Sequence, residues 1–421
     1  MKKFFRVIHL YLSLAAGIVI AIVCFTGAAL VFEKEMLQTI YPERFFVKAG
    51  DEPLPIAQLV QEVQTAKPKA KVSGVKIYQD PTRTMEITFT ENNGKNQKPE
   101  EKAGEVSRGN DQAKTAVAGP NKEEAGKGEK KGGPGKGGRE GGRGDIAYVN
   151  PYTGQLIATS AQKSPFFMTM FGLHRWLLVQ DGPGKLIVGV STVFFLIILL
   201  TGIILWWPKN KKILQQRLAL KFNAGWKRIN HDLHIVVGFY TALFLFVFAF
   251  TGLAWSFEWF NDGIYQLTNS EKKPLEPPFS QIQENTPAIS LDQAFVIAQD
   301  KVPRAEFYSL SSPQAPDAAM SINFMPENAV HERANGQLYL DQYSGEVLGQ
   351  LRFEDKNLGQ RVRSTFYPVH VGSIGGLPGR IIAFISCVAG FTFPITGIIL
   401  WLNRLKKNRN KKKKKLVSQR A

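Results

Sequence analysis

The chain carries six histidines in 421 residues, and five of them stand beside long apolar stretches. His9 precedes Leu10–Phe32, His174 precedes Leu186–Trp207, His231 and His234 precede Ile235–Phe257, and His370 precedes Ile381–Leu402. None of these stretches holds Asp, Glu, Lys, Arg or His, and each exceeds the roughly 20 apolar residues that a bilayer core demands. Neutral imidazole is a common metal ligand and a frequent axial ligand of haem iron. Histidines paired at the two faces of a helical bundle would hold two haems, one above the other, and such an arrangement conducts electrons across a membrane.

The charge pattern fixes how the four spans must run. The net charge is +18, and Lys and Arg crowd three places: Lys2, Lys3 and Arg6, then Lys209–Arg228, then Arg404–Arg420. All three flank an apolar span, which is the positive-inside pattern and not the footprint of a nucleic-acid binder. It predicts cytoplasmic termini and a cytoplasmic loop over 209–230. The long connections, roughly 33–185 and 258–380, then face outward. The basic tail also suits anionic lipid in the bilayer. The first span reads as a retained helix: it is too long for the apolar region of a signal peptide, and Glu33-Lys34-Glu35 follow it without a small-residue cleavage site. Cys24 and Cys387 sit mid-span as apolar fillers, and with no Cys-x-x-Cys-His any haem is held noncovalently.

The second half of the chain echoes the first. His9 lies 17 residues before Thr26-Gly27, and His234 lies 17 before Thr251-Gly252. His174 leads through Gly182-Pro183-Gly184-Lys185 to Thr201-Gly202-Ile203-Ile204-Leu205-Trp206. His370 leads through Leu377-Pro378-Gly379-Arg380 to Thr396-Gly397-Ile398-Ile399-Leu400-Trp401. The His-to-Thr separations there are 27 and 26. Parallel repeats of this kind occur in membrane bundles. The outward connections repeat too. The first has a helical pattern at Leu54–Thr65, strand patterns at Gly74–Tyr78 and Thr84–Thr90, and a closing hairpin at Tyr148–Gly154. The second has Leu291–Asp300, Ala318–Phe324 and a hairpin at Tyr339–Gly345. Each makes a small α+β domain.

The expected fold is therefore membrane α-helical: a four-transmembrane-helix bundle from an internal two-fold repeat, with two small extracytoplasmic α+β domains. The segments divide as 1–35 (first span), 36–165 (first outer domain), 166–208 (interfacial helix and second span) and 209–230 (cytoplasmic loop). They continue as 231–258 (third span), 259–365 (second outer domain), 366–403 (interfacial helix and fourth span) and 404–421 (basic cytoplasmic tail). Gly, Lys and Glu dominate 92–144, which is expected as a disordered insertion in the first domain. No phosphate-binding loop and no Gly-x-Gly-x-x-Gly after a strand appears, so nicotinamide or flavin is not expected within the chain.

Orientation sorts the histidines. His9 and His234 fall at the cytoplasmic edge, and His174 and His370 near the outer face on short helices that reach the membrane surface. Each pair joins equivalent positions of the repeats and is expected to grip one iron from both sides. Two imidazoles leave iron no open position, which suits electron transfer better than oxygen activation. His231 aligns with Arg6 and is read as a ligand or as a partner for a propionate or a donor. His331, with no counterpart, is read as a surface residue, and Met168 and Met170 as no ligands. Thr26 and Gly27, with Thr251 and Gly252, lie at the depth of the outer pair. Thr201 and Gly202, with Thr396 and Gly397, lie at the depth of the inner pair. The glycines either leave room for a flat macrocycle or serve helix packing, and the threonines can bond their own backbone. Arg175, Lys185, Arg380, Arg6, Lys227 and Arg228 could pair with propionates or anchor in headgroups.

Taken together, these motifs resemble the PepSY-associated transmembrane family, which includes bacterial inner-membrane iron-siderophore reductases. The resemblance runs over nearly the whole chain. It implies two PepSY-like outer domains, two noncovalent b-type haems, a bacterial inner-membrane setting and electron delivery to a ferric siderophore or other Fe(III)-chelate in the periplasm. The electron donor, a quinol or a cytoplasmic reductase, would come from outside the chain, and no catalytic residue is legible. The long 92–144 insertion departs from the family pattern, as does Ser13 where the equivalent position is Gly238. A rival reading is a non-enzymatic membrane protein whose outer domains regulate a peptidase or envelope partner. A transporter is disfavoured, because transporters usually carry ionisable residues inside the membrane and these spans hold none between their ends.

Overall fold

The computed structural model describes residues 1–91, 144–159, 164–180, 182–273, 276–283 and 285–419. The insertion expected over 92–144 thus lies, but for Gly144, outside the described residues. In chain order the first half contains α1 (Lys2–Val31), α2 (Glu33–Ile40), α3 (Pro42–Phe45), α4 (Ile56–Ala66), β1 (Ala70–Tyr78), β2 (Met85–Glu91), β3 (Asp145–Val149), β4 (Leu156–Thr159), α5 (Pro165–Trp176) and α6 (Gly184–Trp206). A short α7 (Lys211–Leu218) leads to α8 (Trp226–Asp232), a π-helical turn at Leu233–Val237, α9 (Gly238–Ser256) and α10 (Glu258–Leu267). Then come α11 (Leu291–Lys301), β5 (Ala305–Ser311), β6 (Met320–Pro326), β7 (Gly336–Leu340), β8 (Val347–Leu351), α12 (Leu358–His370) and α13 (Gly376–Ser418).

Among the described residues, four helical stretches are long and apolar enough to cross a membrane: Lys2–Val31, Gly184–Trp206, Trp226–Ser256 and Ser373–Lys411. The protein is a membrane protein. Its four spans close into a ring in the order α1, α6, α9, α13, so that α1 faces α9 and α6 faces α13 across the centre. Small residues permit the close crossings. A Cβ on Gly17 would meet the Pro394 ring at 3.4 Å, and one on Gly390 would run into the Cys24 sulfur. Outward-facing Ile18, Leu200, Leu243 and Ile385 stay exposed, as befits a surface wetted by lipid. The fourth span continues as helix through Ser418, so most of the tail expected at 404–421 extends α13.

At the end of the bundle away from the basic segments lies one continuous antiparallel sheet of eight strands, in the order β4-β3-β2-β1-β5-β6-β7-β8. Two small α+β domains were expected, and their strands join through a β1–β5 ladder running from Gly74 opposite Ser311 to Tyr78 opposite Phe307. Strand β5 carries no clean alternation of apolar and polar residues and was missing from the expected elements. Its pairing draws on contacts more than 200 residues distant in sequence, which a local pattern does not report. Helices α4 and α11 cover one face of the sheet. Leu59, Val63, Ile87 and Phe89 fill the core under α4, and Ala294, Ala298, Leu310, Ile322 and Leu338 fill the core under α11.

The two closing hairpins are built alike. Asn150 Oδ1 accepts the Tyr152 amide at 2.9 Å, and Asp341 Oδ1 accepts the Tyr343 amide at 2.9 Å. Gly154 and Gly345 take φ of 72° and 75°, the left-handed region that favours glycine. The Tyr152 hydroxyl donates to the Pro81 carbonyl at 2.9 Å and that of Tyr343 to the Pro316 carbonyl at 2.8 Å, tying each turn to the neighbouring loop. The Tyr-x-Asn/Asp-x-Tyr-Thr/Ser-Gly motif is thus a structural staple.

Charge ties the start of α2 to the fourth span and joins the two halves of the sheet domain. Arg380 on α13 grips both carboxylate oxygens of Glu35 on α2, donates to the Val31 carbonyl at 2.6 Å and lies over the Phe32 ring. Hydrogen bonding from Arg380 holds the Glu35 carboxyl below its ordinary value. Within the sheet domain, Asp292 at the start of α11 accepts the Ile56 and Ala57 amides at 2.6 and 3.0 Å, capping α4 from across the seam. Those amides belong to the unpaired first turn of a helix, where a carboxylate is favoured. Asp292→Ala should lower stability by about 1–3 kcal/mol, with Asp292→Asn intermediate, as read by thermal unfolding. Because the Glu35 value is depressed on folding, its contribution is present above the ordinary carboxylate range and is lost as pH falls through the depressed value. Glu35→Gln should therefore flatten the acid limb of a stability–pH profile.

Candidate metal-ligating histidine pairs

Four of the six histidines meet in two pairs. The His9 and His234 rings have centroids 6.5 Å apart at the basic end of the bundle. The His174 and His370 rings have centroids 6.1 Å apart at the sheet end. His9 and His234 project from the diagonally opposed α1 and the π-turn ahead of α9; His174 and His370 end α5 and α12, which lead into the opposed α6 and α13. A π-turn widens the helix by one residue, a device that recurs at functional sites, and here it carries His234. His9 and Thr26 are 17 residues apart on one helix, so the two levels are separated by about 25 Å of rise.

Each imidazole is seated in the same socket on a neighbouring helix. His9 Nδ1 lies 3.1 Å from the Ile198 carbonyl and 3.1 Å from Thr201 Oγ1. His174 Nδ1 lies 3.0 Å from the Val23 carbonyl and 3.1 Å from Thr26 Oγ1. His370 Nδ1 lies 2.8 Å from the Phe248 carbonyl and 3.1 Å from Thr251 Oγ1. His234 Nδ1 lies 2.9 Å from Thr396 Oγ1. For His9, His174 and His370 the carbonyl belongs to the residue three before the threonine.

The acceptors settle the tautomer. A carbonyl oxygen only accepts. The threonine hydroxyls already donate to the carbonyls four residues back, Ile22, Ile197, Val247 and Thr392, at 2.7–3.0 Å. The hydrogen therefore sits on Nδ1 and is donated, and Nε2 keeps its lone pair. That is the state of an imidazole prepared to bind a metal through Nε2, with the other nitrogen fixed by a hydrogen bond.

The glycines complete the socket. A Cβ on Gly27, Gly202, Gly252 or Gly397 would stand 3.2–3.4 Å from the Cε1 of His174, His9, His370 or His234 respectively. They were expected either to leave room for a flat macrocycle or to serve helix packing; in this structure an imidazole edge lies where each side chain would be. The threonines do bond their own backbone, as expected, and also hold histidines from other helices. Thr26, Thr201, Thr251 and Thr396 are all buried. The backbone acceptors had no signature in the sequence beyond the threonine three residues on.

Other expected residues lie elsewhere. His231 is outside the pairs: its Nδ1 faces Asp232 Oδ1 at 3.1 Å and its side chain is 45 % exposed. Buried Asp232 also accepts from Arg228 Nε at 2.8 Å, so Arg228 is committed there. Arg380 is committed to Glu35. Arg6, Lys185 and Lys227 are exposed. Arg175 adjoins His174, and its charge acts on His370 as well. His331, expected at the surface, is buried, with Nδ1 accepting the Arg333 amide at 3.1 Å and its ring edge against Phe353. Two aromatic residues that the sequence did not single out touch the pairs: Phe393 against His234 at 5.8 Å and Trp255 against His370 at 5.3 Å.

Two imidazoles bound to opposite sides of one metal ion at about 2 Å each place their centroids about 6 Å apart, the separation found in both pairs. Each pair offers two ligands and, among the described residues, no group of three or more His, Cys, Asp or Glu side chains could hold a metal ion. Two imidazoles at this separation could hold a metal ion whose remaining positions are filled by another group. No curated protein matches the chain. The family model described as the PepSY-associated TM region matches residues 6–404, a span that takes in both histidine pairs, all four sockets and the whole sheet. The chain belongs to the PepSY-associated transmembrane family.

Proposed function

We propose that this protein is a bacterial inner-membrane electron carrier that holds two noncovalent b-type haems and reduces a ferric siderophore or other Fe(III)-chelate on the periplasmic side. The observation that carries the reading is the pair of opposed imidazoles at each level, both with Nδ1 donated and Nε2 left to bind. His9 and His234 would hold the haem at the basic end, and His174 and His370 the one at the sheet end. When bound, haem supplies a one-electron Fe(III)/Fe(II) couple with no open coordination position.

The chain's own residues do the rest. The threonine–carbonyl sockets hold each imidazole in one tautomer and strengthen its donor character. The glycines let the rings approach the neighbouring helix. The apolar span residues exclude water from between the two levels. Arg175, beside the sheet-end pair, favours a negatively charged group there. On this reading the basic end faces the cytoplasm with both termini. The two halves are a duplicated unit, each pairing two spans with a PepSY-like α+β element, and electrons enter from a quinol or a cytoplasmic reductase at the basic end.

Purified full-length protein should contain two haems per chain and give a Soret band with split visible bands on dithionite reduction. His9→Ala and His370→Ala should each lose one haem. Protein without haem, or variants that keep both, would sink this reading, and a haem-free protein would favour the regulatory alternative. A separate test addresses the socket. Gly252→Val should evict the His370 ring and remove the sheet-end haem, while Gly349→Val, where a Cβ meets nothing within 4 Å, should leave both in place.

A further inference from the structure

Resting on the di-haem reading, we propose that Trp255 is the path by which electrons leave the sheet-end pair, and that Arg363 above it favours anionic ferric chelates as acceptors. The Trp255 ring lies against the His370 imidazole, with centroids 5.3 Å apart and planes tilted by 55°. The guanidinium carbon of Arg363 stands 5.0 Å from the Trp255 centroid and 5.8 Å from that of Phe366. Arg363 Nε donates to Asn261 Oδ1 at 2.6 Å, which fixes the guanidinium above the indole. A cation, an indole and a ligating imidazole thus form one stack.

The stack leads towards the sheet. Trp255 is one helical turn beyond Thr251, near the sheet-side end of α9, and is half-buried. Arg363 is two turns before His370 on α12, on the same face of that helix. The arrangement is one-sided. The position four residues after Thr26 in α1 is Leu30, so the first half has no ring at the corresponding place. At the basic end the ring against His234 is Phe393, with no cation over it among the described contacts.

The chemistry favours an indole at this place. Iron in an oxygen chelate is wrapped by its ligand and cannot bond to the protein, so the electron must cross through overlapping orbitals. Indole presents the most extended π face of the side chains and is the best partner for a cation. It acts here as a conjugated bridge and is not itself oxidised. The fixed charge of Arg363 raises the local concentration of an anionic acceptor and repels a cationic one. The step balances simply: the couple held by His174 and His370 gives up one electron, the chelated Fe(III) becomes Fe(II), no bond is made or broken, and no proton moves.

The test uses full-length protein in nanodiscs, reduced under anaerobic conditions and mixed rapidly with ferric citrate, an anionic chelate. Trp255→Leu should slow reoxidation of the sheet-end haem about tenfold with haem content unchanged, and Trp255→Phe should restore much of the rate. Arg363→Gln should slow the reaction with ferric citrate and speed it with a cationic ferric trihydroxamate. Independently of turnover, a redox titration should show the sheet-end midpoint potential moving negative in Arg363→Gln and staying in place in Trp255→Leu. A wild-type rate in Trp255→Leu overturns the proposal. So does equal slowing in Trp255→Leu and Trp255→Phe accompanied by loss of the sheet-end spectrum. Wild-type protein lacking two haems overturns the underlying reading instead.

Discussion

Everything in the bundle is organised around one contact made four times, between a histidine Nδ1 and a buried threonine hydroxyl on the neighbouring helix, joined at His9, His174 and His370 by the carbonyl three residues before that threonine. An imidazole buried among apolar helices must have its N–H satisfied, because an unmade bond there costs about 1–3 kcal/mol. Meeting that demand with acceptors on the neighbouring helix fixes the tautomer and leaves the lone pair on Nε2. The threonine adds a second acceptor only because its own hydroxyl is already spent on the carbonyl one turn back. The glycine that follows is the one residue type that lets the ring come so close.

The sockets are reciprocal, and this accounts for the order of the helices. Helix α1 offers His9 to α6 and receives His174, while the element formed by the π-turn and α9 offers His234 to α13 and receives His370. Each half is therefore closed by its own exchange of side chains. The histidine pairs form across the halves, on the diagonals of the ring, where no helix packs directly on its opposite. The sockets are satisfied within a half, and the rings meet between halves, with centroids 6.5 and 6.1 Å apart. A metal held there would bind the two halves together without disturbing the bonds that orient its ligands.

The sequence made the histidines and the Thr-Gly pairs legible because both sit on rigid helices, where spacing in residues is spacing in space. A separation of 17 in both odd spans, and of 27 and 26 in the even ones, could only place His and Thr-Gly at matching depths. What lies against Gly27, Gly202, Gly252 and Gly397 was not legible, because a missing Cβ tells nothing about what fills the space. His331 was misplaced because burial in a loop depends on Phe353, which is 22 residues away in sequence. His231 was ambiguous until Asp232 appeared beside its ring. The fused sheet escaped notice because β5 pairs with β1 across the whole of the intervening chain, and local alternation carries no record of which edge a strand will meet.

That fused sheet has a consequence for the life of the chain before it is complete. A half synthesised alone would present β1 or β5 as a naked edge of unpaired amides and carbonyls, a template for any extended segment nearby. Until β5 has been made and has crossed to its place, the nascent first half is exposed to promiscuous strand capture. In the folded chain each half covers that edge of the other, so that among the described strands only β4 and β8 stand at the margins of the sheet.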